Sequence, residues 1–408
     1  VADHDDLLRR FQPRLRYDSQ EAFFADSAAE WTDNPGNELR RGFIDGRPGA
    51  LIAATDPAPG GQKLSLAFLD DPLYADGETR AEEEDLISSP RRDYRRRYAE
   101  LRRRPGYANV MYGRAKAGSD ERLWLQYWFF YFYNDLHLAG GAGLHEGDWE
   151  MVQLRLGPEG ERPDLAVYAQ HTHAGEAAWE DVEKDPASQD SPLVYVGRGS
   201  HASYFHAGYQ GTGVWYDLAD GKRPAPLLRL EILHDDDLPG WVRWRGRWGD
   251  TQPRIPGLHQ PSPPGPLPHK QWDDPALLVA DAVPVTRSQA LPAPEVRIDR
   301  RGGRMRVRFD FSGRPGEAPE RLVVTVNSAD DRLPPRAYTF ALEHALRGTL
   351  ETGIELAGDK HYDIYVSTVG ADGQPSESKL VLLEPNRGLL AWLGTVVPAI
   401  VARLRGDR

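Results

Sequence analysis

Leu123-Trp124-Leu125-Gln126-Tyr127-Trp128-Phe129-Phe130-Tyr131-Phe132-Tyr133 is apolar or aromatic at ten of its eleven positions, on both alternating faces. A strand with one wet face alternates apolar and polar residues, whereas one covered on both faces reads as a continuous run. The stretch therefore predicts a central, doubly covered strand. Downstream, Trp149 to Leu156 alternates. Leu165 to Ala169, Leu193 to Val196, Val214 to Tyr216 and Leu228 to Ile232 follow as short strand-like runs. Short strands separated by Gly, Pro and Asp turns predict an antiparallel β-sandwich, and the 40 Gly and 33 Pro agree with a turn-rich β protein.

The flanking sequence extends this reading to a mainly β chain. A metal-binding β-sandwich domain is expected over 1–285, with a charged helical insertion near 80–105 and a Pro-rich segment at 252–268. A smaller fibronectin type III-like sandwich is expected over 290–385. There, Met305, Val307, Phe309 and Phe311 alternate with charged residues, and Gly370-Ala371-Asp372-Gly373 suits a hairpin turn. The apolar stretch 388–402 predicts a C-terminal helix over 386–408. It is shorter than the roughly 20 residues of a membrane span, and Pro398 interrupts it. Such a helix docks on the protein or lies at a membrane surface, with Arg403 and Arg405 at head-group level.

A net charge of −12 argues against a nucleic-acid partner held through phosphates. The basic run Arg95 to Arg104 sits beside Glu82 to Asp85 and reads as a solvated helix of mixed charge. The absence of cysteine excludes disulfides and thiolate-ligated metals. The chain begins at Val1 rather than Met, which leaves room for an upstream segment.

Six of the twelve histidines fall between 137 and 206, in three clusters. The first is His145-Glu146-Gly147-Asp148-Trp149-Glu150. On a strand, Asp148 and Glu150 point to one face and Trp149 to the other. Two carboxylates on a buried face need a counter-charge. A divalent cation supplies it, and so does an arginine such as Arg155 or Arg198, or a shared proton. His145 in the preceding turn and Asp135 at the end of the aromatic strand complete a candidate metal set of His145, Asp148, Glu150 and Asp135. An oxygen-dominated set without thiolate suits Ca²⁺ or Mg²⁺. A helical His-Glu-x-x-His zinc site is excluded, because its last position is Trp149 and Gly147 weakens a helix. Histidines 171 and 173 share one strand face, as do His201 and Ser203. With Tyr204 they are candidate ligand-binding residues, and His171 and His201 are candidate acids or bases. No Gly-x-Ser-x-Gly elbow surrounds Ser200.

The aromatic strand, His145 to Glu150, Gln170-His171 and Gly199-Ser200-His201-Ala202-Ser203-Tyr204, in this order, resemble the vacuolar-protein-sorting protein sixty-two-related family of fungi, plants and bacteria. They resemble more distantly the necrosis- and ethylene-inducing-peptide-like proteins. In those proteins a Gly-His-Arg-His-Asp-Trp-Glu heptapeptide contributes to a divalent-metal site in a β-sandwich that recognises sphingolipid head-group sugars. By position, His145, Asp148 and Glu150 match the first histidine, aspartate and glutamate of that heptapeptide, and Gly147 replaces its second histidine. The match covers roughly 106–250. The cytolytic family's disulfides have no counterpart here. The resemblance implies a secreted or cell-surface protein that binds a divalent cation, and through it a polar small molecule, a glycan or a lipid head group. A metal-dependent hydrolase of phosphoester or glycosyl bonds and a non-catalytic scaffold are the alternatives.

Overall fold

The aromatic run folds as a twelve-residue strand, Leu123–Asn134, with only its first residue partly exposed. The computed structural model describes residues 3–32, 36–40, 43–44, 47–49, 51–54, 62–63, 85–89, 93–136, 144–170, 173–211, 216–252, 262–285, 294–311, 319–328, 336–343, 345–370, 376 and 379–383. In chain order, the strands that frame the site are β1 (Arg14–Tyr17), β2 (Val110–Ala117), β3 (Leu123–Asn134), β4 (Leu144–Leu156), β5 (Pro163–Gln170), β6 (His173–Ala178), β7 (Ser188–Val196), β8 (Ser203–Tyr204), β9 (Arg229–Ile232) and β10 (Ala282–Pro284).

One sheet runs β9-β2-β3-β4-β5-β6-β10, and Thr251–Gln252 adds an eighth strand beside the start of β4. Its interior is antiparallel, and only the two edge pairings, β9 with β2 and β6 with β10, are parallel. Strand β3 is therefore bonded on both sides, to β2 and to β4. A second sheet runs Lys184–Asp185, β7, β1 and Arg223–Pro224, with β8 folding back on β7. Side chains of both sheets join one hydrophobic core, which contains Leu15, Val194 and Val196 beside Tyr127, Phe129 and Met151. This is the mainly β, sandwich-type architecture that the run at 123–133 implies.

The segment near 80–105 differs from expectation. Leu86–Ser88 is a strand paired with Glu38–Arg40, and among the described residues of this segment Tyr94–Leu101 is helical. Tyr94, Tyr98 and Leu101 recur at helical spacing and are buried. Tyr94 stacks on Tyr133 at 4.1 Å and Tyr98 on Phe132 at 5.9 Å. The helix is part of the core wall rather than a solvated insertion, because its aromatic stripe outweighs its arginines. Behind β4, Trp149 packs among Phe130, Trp241 and Trp248, with centroids 5.2–5.6 Å away.

The chain divides into two compact units, 1–288 and 289–408. In the second, Val296–Arg301, Arg304–Asp310 and Arg347–Glu355 form one sheet. Arg336–Ala341, Arg321–Ser328, Tyr362–Val369 and Lys379–Leu383 form the other. This is a fibronectin type III-like division into three and four strands, around a core that includes Met305, Val307, Leu322 and Ile364. The expected C-terminal helix over 386–408 and most of the Pro-rich segment lie outside the described residues. Among the described residues, no helix is long and apolar enough to cross a membrane.

Candidate functional site

Strand β4 carries the first cluster as its alternation requires. Asp148 sits opposite Tyr131 of β3, and Glu150 opposite Phe129. Asp148 faces His201 while Trp149 turns to the tryptophan cluster behind the sheet. Gly147 takes φ +65°, and a Cβ there would lie 1.6 Å from the Trp248 carbonyl oxygen. Only glycine fits this position. The histidine found there in the related heptapeptide has no room.

His201 comes from the tight turn between β7 and β8. The Gly197 N–H donates to the Ala202 carbonyl, and the His201 N–H donates to the Gly197 carbonyl. His201 itself is at φ +59°, in the left-handed region that non-glycine residues adopt at a cost. It therefore lies in a turn and not on a strand, so the shared face expected for His201 and Ser203 does not apply. Its neighbours hold it there. Nδ1 donates to Asp148 Oδ2 at 2.9 Å, Nε2 faces Glu21 Oε1 at 3.6 Å, and the ring stacks on Tyr131 at 4.0 Å with a 2° interplanar angle. Glu21 is fixed in turn by the N–H groups of Ala22, Phe23 and Gly199. Gly199 packs on Asp135, whose N–H donates to the Gly199 carbonyl at 2.9 Å.

Both members of this ion pair are fully buried. Burial alone lowers the His201 pKa, but the Glu21 carboxylate and the bond to Asp148 outweigh it and raise the pKa to about 9. Burial pushes Glu21 the opposite way from its hydrogen bonds, and the His201 charge with the donated N–H groups leaves its acidity stronger than usual. The counter-charge that the carboxylates require is therefore an imidazolium from within the chain. Neither arginine proposed for that role supplies it, since Arg155 pairs with Asp164 and Arg198 with Asp18.

Glu150 lies beyond this pair. Burial first, then the neighbouring Asp148 and Asp217 carboxylates, hold its pKa well above the usual range. It makes no hydrogen bond among the described residues, so burial favours its neutral acid form. Asp217, from the strand Tyr216–Ala219, accepts a bond from the Tyr204 hydroxyl. Burial and Asp217 suppress that hydroxyl's ionisation. Among the described residues, Ser200 Oγ is buried without a hydrogen-bond partner, and so is Tyr131 Oη.

The remaining expected residues scatter. The His145 Nδ1–H donates to the Gly147 carbonyl at 2.8 Å. The Asp135 carboxylate pairs with Arg95 at 2.6 Å. Ser203 is buried, and its carbonyl accepts the Gln170 side-chain N–H. His171 and the side chain of His173 lie outside the described residues. The expected set of His145, Asp148, Glu150 and Asp135 is thus not assembled, and among the described residues no three His, Asp or Glu side chains converge as metal ligands. The structure brings together Asp148 and His201 and adds Glu21, Tyr131, Glu150, Asp217 and Tyr204 around them. Glu146 adds a separate buried carboxylate: it accepts the Ser89 N–H on both oxygens, and its pKa is raised well above normal by burial.

No family model matches the chain, and no curated protein matches it. Among solved structures, necrosis and ethylene inducing protein 2 from the causal agent of cocoa's Witches Broom disease is similar at 13% identity and a TM-score of 0.24, over 57% of this chain and 74% of that one. A structure titled as a myokine is similar at 19% identity and a TM-score of 0.20, over 24% of this chain and 98% of that one. The FN5 domain of Drosophila Lar is similar at 12% identity and a TM-score of 0.19, over 24% of this chain and all of that one.

Proposed function

We propose that the β-sandwich of residues 1–285 is a recognition module. Its cluster of buried carboxyls takes up a divalent cation of the Mg²⁺ or Ca²⁺ class, and through it a polar group such as a glycan or a lipid head group. The carrying observation is Glu150. It is a buried carboxyl beside two further carboxylates, with no hydrogen-bond partner among the described residues. Such a group is stable as the neutral acid, and a cation that replaces its proton satisfies it equally. In this reading the cation would be held by Glu150 and its neighbours Asp148 and Asp217. Because no three ligand side chains converge among the described residues, the reading is a cation held by one or two carboxylates, with the rest of its shell open to ligand oxygens, as is usual for Mg²⁺. The bound cation supplies a point charge that orients oxygen-rich ligands. The positions His145, Asp148 and Glu150, which match the heptapeptide of the necrosis- and ethylene-inducing-peptide-like proteins, motivate this reading.

Hydrolysis is less well supported. His201 is protonated at neutral pH, fully buried and flanked on both nitrogens by carboxylates, so it has no lone pair with which to act as a general base. Calorimetric titration of the purified protein with MgCl₂ and with CaCl₂, in buffers of different ionisation heat, tests the proposal. Binding with a dissociation constant near or below about 1 mM, release of about one proton per cation and loss of both in Glu150→Gln are expected. Absence of binding in the wild type, or unchanged binding and proton release in Glu150→Gln, overturns it.

A further inference from the structure

Away from the carboxylate cluster, a cavity of about 820 Å³ opens at the far end of β4. Pro163 on its wall pairs with Leu156, which is eight residues along the strand from Asp148, or roughly 25 Å. Arg162 and Pro163 enter it from the β4–β5 turn, and Trp179 to Pro186 enter from the segment after β6. The two walls are neighbours, because the β5–β6 ladder continues through the Trp179 N–H, which donates to the Asp164 carbonyl at 3.0 Å. That register brings Arg162 and Glu180 to adjacent chain ends.

The lining holds two cations and two anions, which differ in what they already touch. The Lys184 ammonium donates to the Trp179 carbonyl and lies 4.5 Å from the centre of the same indole. Glu183 accepts the Tyr195 hydroxyl at 2.8 Å. Neither the Arg162 guanidinium nor the Glu180 carboxylate has an ion pair or a side-chain hydrogen bond among the described residues. The cavity therefore offers one uncommitted charge of each sign, and its committed charges cancel. A ligand of net charge gains from one of the two and is repelled by the other, whereas a ligand carrying both signs gains from both. Between them, Pro163, Trp179 and Val182 are buried apolar wall. That wall suits an aliphatic substituent and not a bare ion.

We propose that this cavity is a second binding site, independent of the cation pocket, for a zwitterionic small molecule of the α-amino-acid type. Its carboxylate bonds to the planar fork of Arg162, its ammonium to Glu180, and its aliphatic side chain lies against Trp179 and Val182. The volume exceeds that of one amino acid, so a side chain as large as leucine is accommodated.

Saturation-transfer NMR and calorimetry on the full chain test this with leucine, its decarboxylated amine and N-acetyl-leucine. Leucine is expected to bind, and the two analogues to bind roughly tenfold or more weakly, because each lacks one charge-assisted contact. Arg162→Ala is expected to weaken leucine by a similar factor and leave the amine equally or more tightly bound, since a repelling charge is removed. Glu180→Gln is expected to weaken leucine and leave N-acetyl-leucine equally or more tightly bound for the same reason. Both residues are solvent-exposed, so neither change threatens folding. Glu150→Gln separates the two sites, because it should leave leucine binding unchanged whether or not the cation pocket behaves as proposed. Equal affinity for leucine and either analogue, absence of leucine binding, or insensitivity to both variants overturns the assignment. So does preferential binding of a neutral sugar such as cellobiose that both variants abolish.

Discussion

Replacing His201 by asparagine tests the central claim that the carboxylates of this site are neutralised by an imidazolium. Asparagine tolerates the left-handed backbone at this position and carries no charge. The pKa of His201 is raised to about 9 against an ordinary 6.5, and the linked stabilisation is about 3 kcal/mol at about 1.4 kcal/mol per unit. The sign follows from the folded state binding the proton more tightly. The stabilisation is present in full below the unfolded pKa, near 6.5, and is lost as the pH rises through about 9. Urea denaturation of the wild type should therefore show stability falling by about 2–3 kcal/mol between pH 7 and about pH 10. In His201→Asn, Glu21 and Asp148 are left buried without a counter-charge. The variant should be weaker than the wild type near pH 7 by about 3–5 kcal/mol, and its alkaline fall between pH 7 and about pH 10 should be smaller than the wild type's by about 2–3 kcal/mol, the remainder coming from the buried tyrosines and glutamates. The pairing of these two effects is diagnostic, since a merely structural loss would lower stability at every pH and keep the slope. A wild type whose midpoint is flat from pH 6.5 to about 9.5, or a variant that falls in parallel with it, would refute the imidazolium.

Three further changes probe the same frame. Gly147→Ala places a methyl group 1.6 Å from the Trp248 carbonyl at φ +65°, and should cost about 3 kcal/mol or more in urea denaturation; a loss below about 1 kcal/mol means that the 248–250 segment does not cross β4 as described. Glu150→Gln removes a carboxyl whose ionisation the fold resists, so at pH 8 the variant should be more stable than the wild type by at least about 1 kcal/mol, with the gain shrinking towards pH 5; a gain independent of pH counts against a buried neutral acid. Trp149→Ala empties the centre of the tryptophan cluster and should cost about 3–5 kcal/mol, with a marked loss of near-ultraviolet circular dichroism, whereas a cost near zero would place Trp149 outside the core.

The fold is legible where the pattern is long and one-signed. An apolar run of strand length at 123–133 leaves little choice but a covered central strand, and the two-residue period after 147 sets which side chains of β4 face the site. The charged segment near 80–105 misleads because arginine count dominates its composition, while Tyr94, Tyr98 and Leu101 decide its packing. The site is legible as a need and not as a solution. Asp148 and Glu150 on one buried face announce that positive charge must come from somewhere, and a cation, an arginine, a proton and an imidazolium all answer equally well in local sequence. Here the imidazolium of His201 answers, and burial favours the neutral form of Glu150. The partner that makes His201 an imidazolium is Glu21, 180 residues away, on a lead-in segment whose neighbours Gln20 and Ala22 show no ligand-like spacing. Asp217 also lies well outside β4 in the chain, beyond β8. What local sequence could offer was a glutamate two positions before Phe23, in Glu21-Ala22-Phe23-Phe24, a carboxyl too close to core aromatics to lie in water. A carboxylate pair on a strand therefore specifies the sign of its missing neighbour, and the long-range contacts of the fold specify its identity.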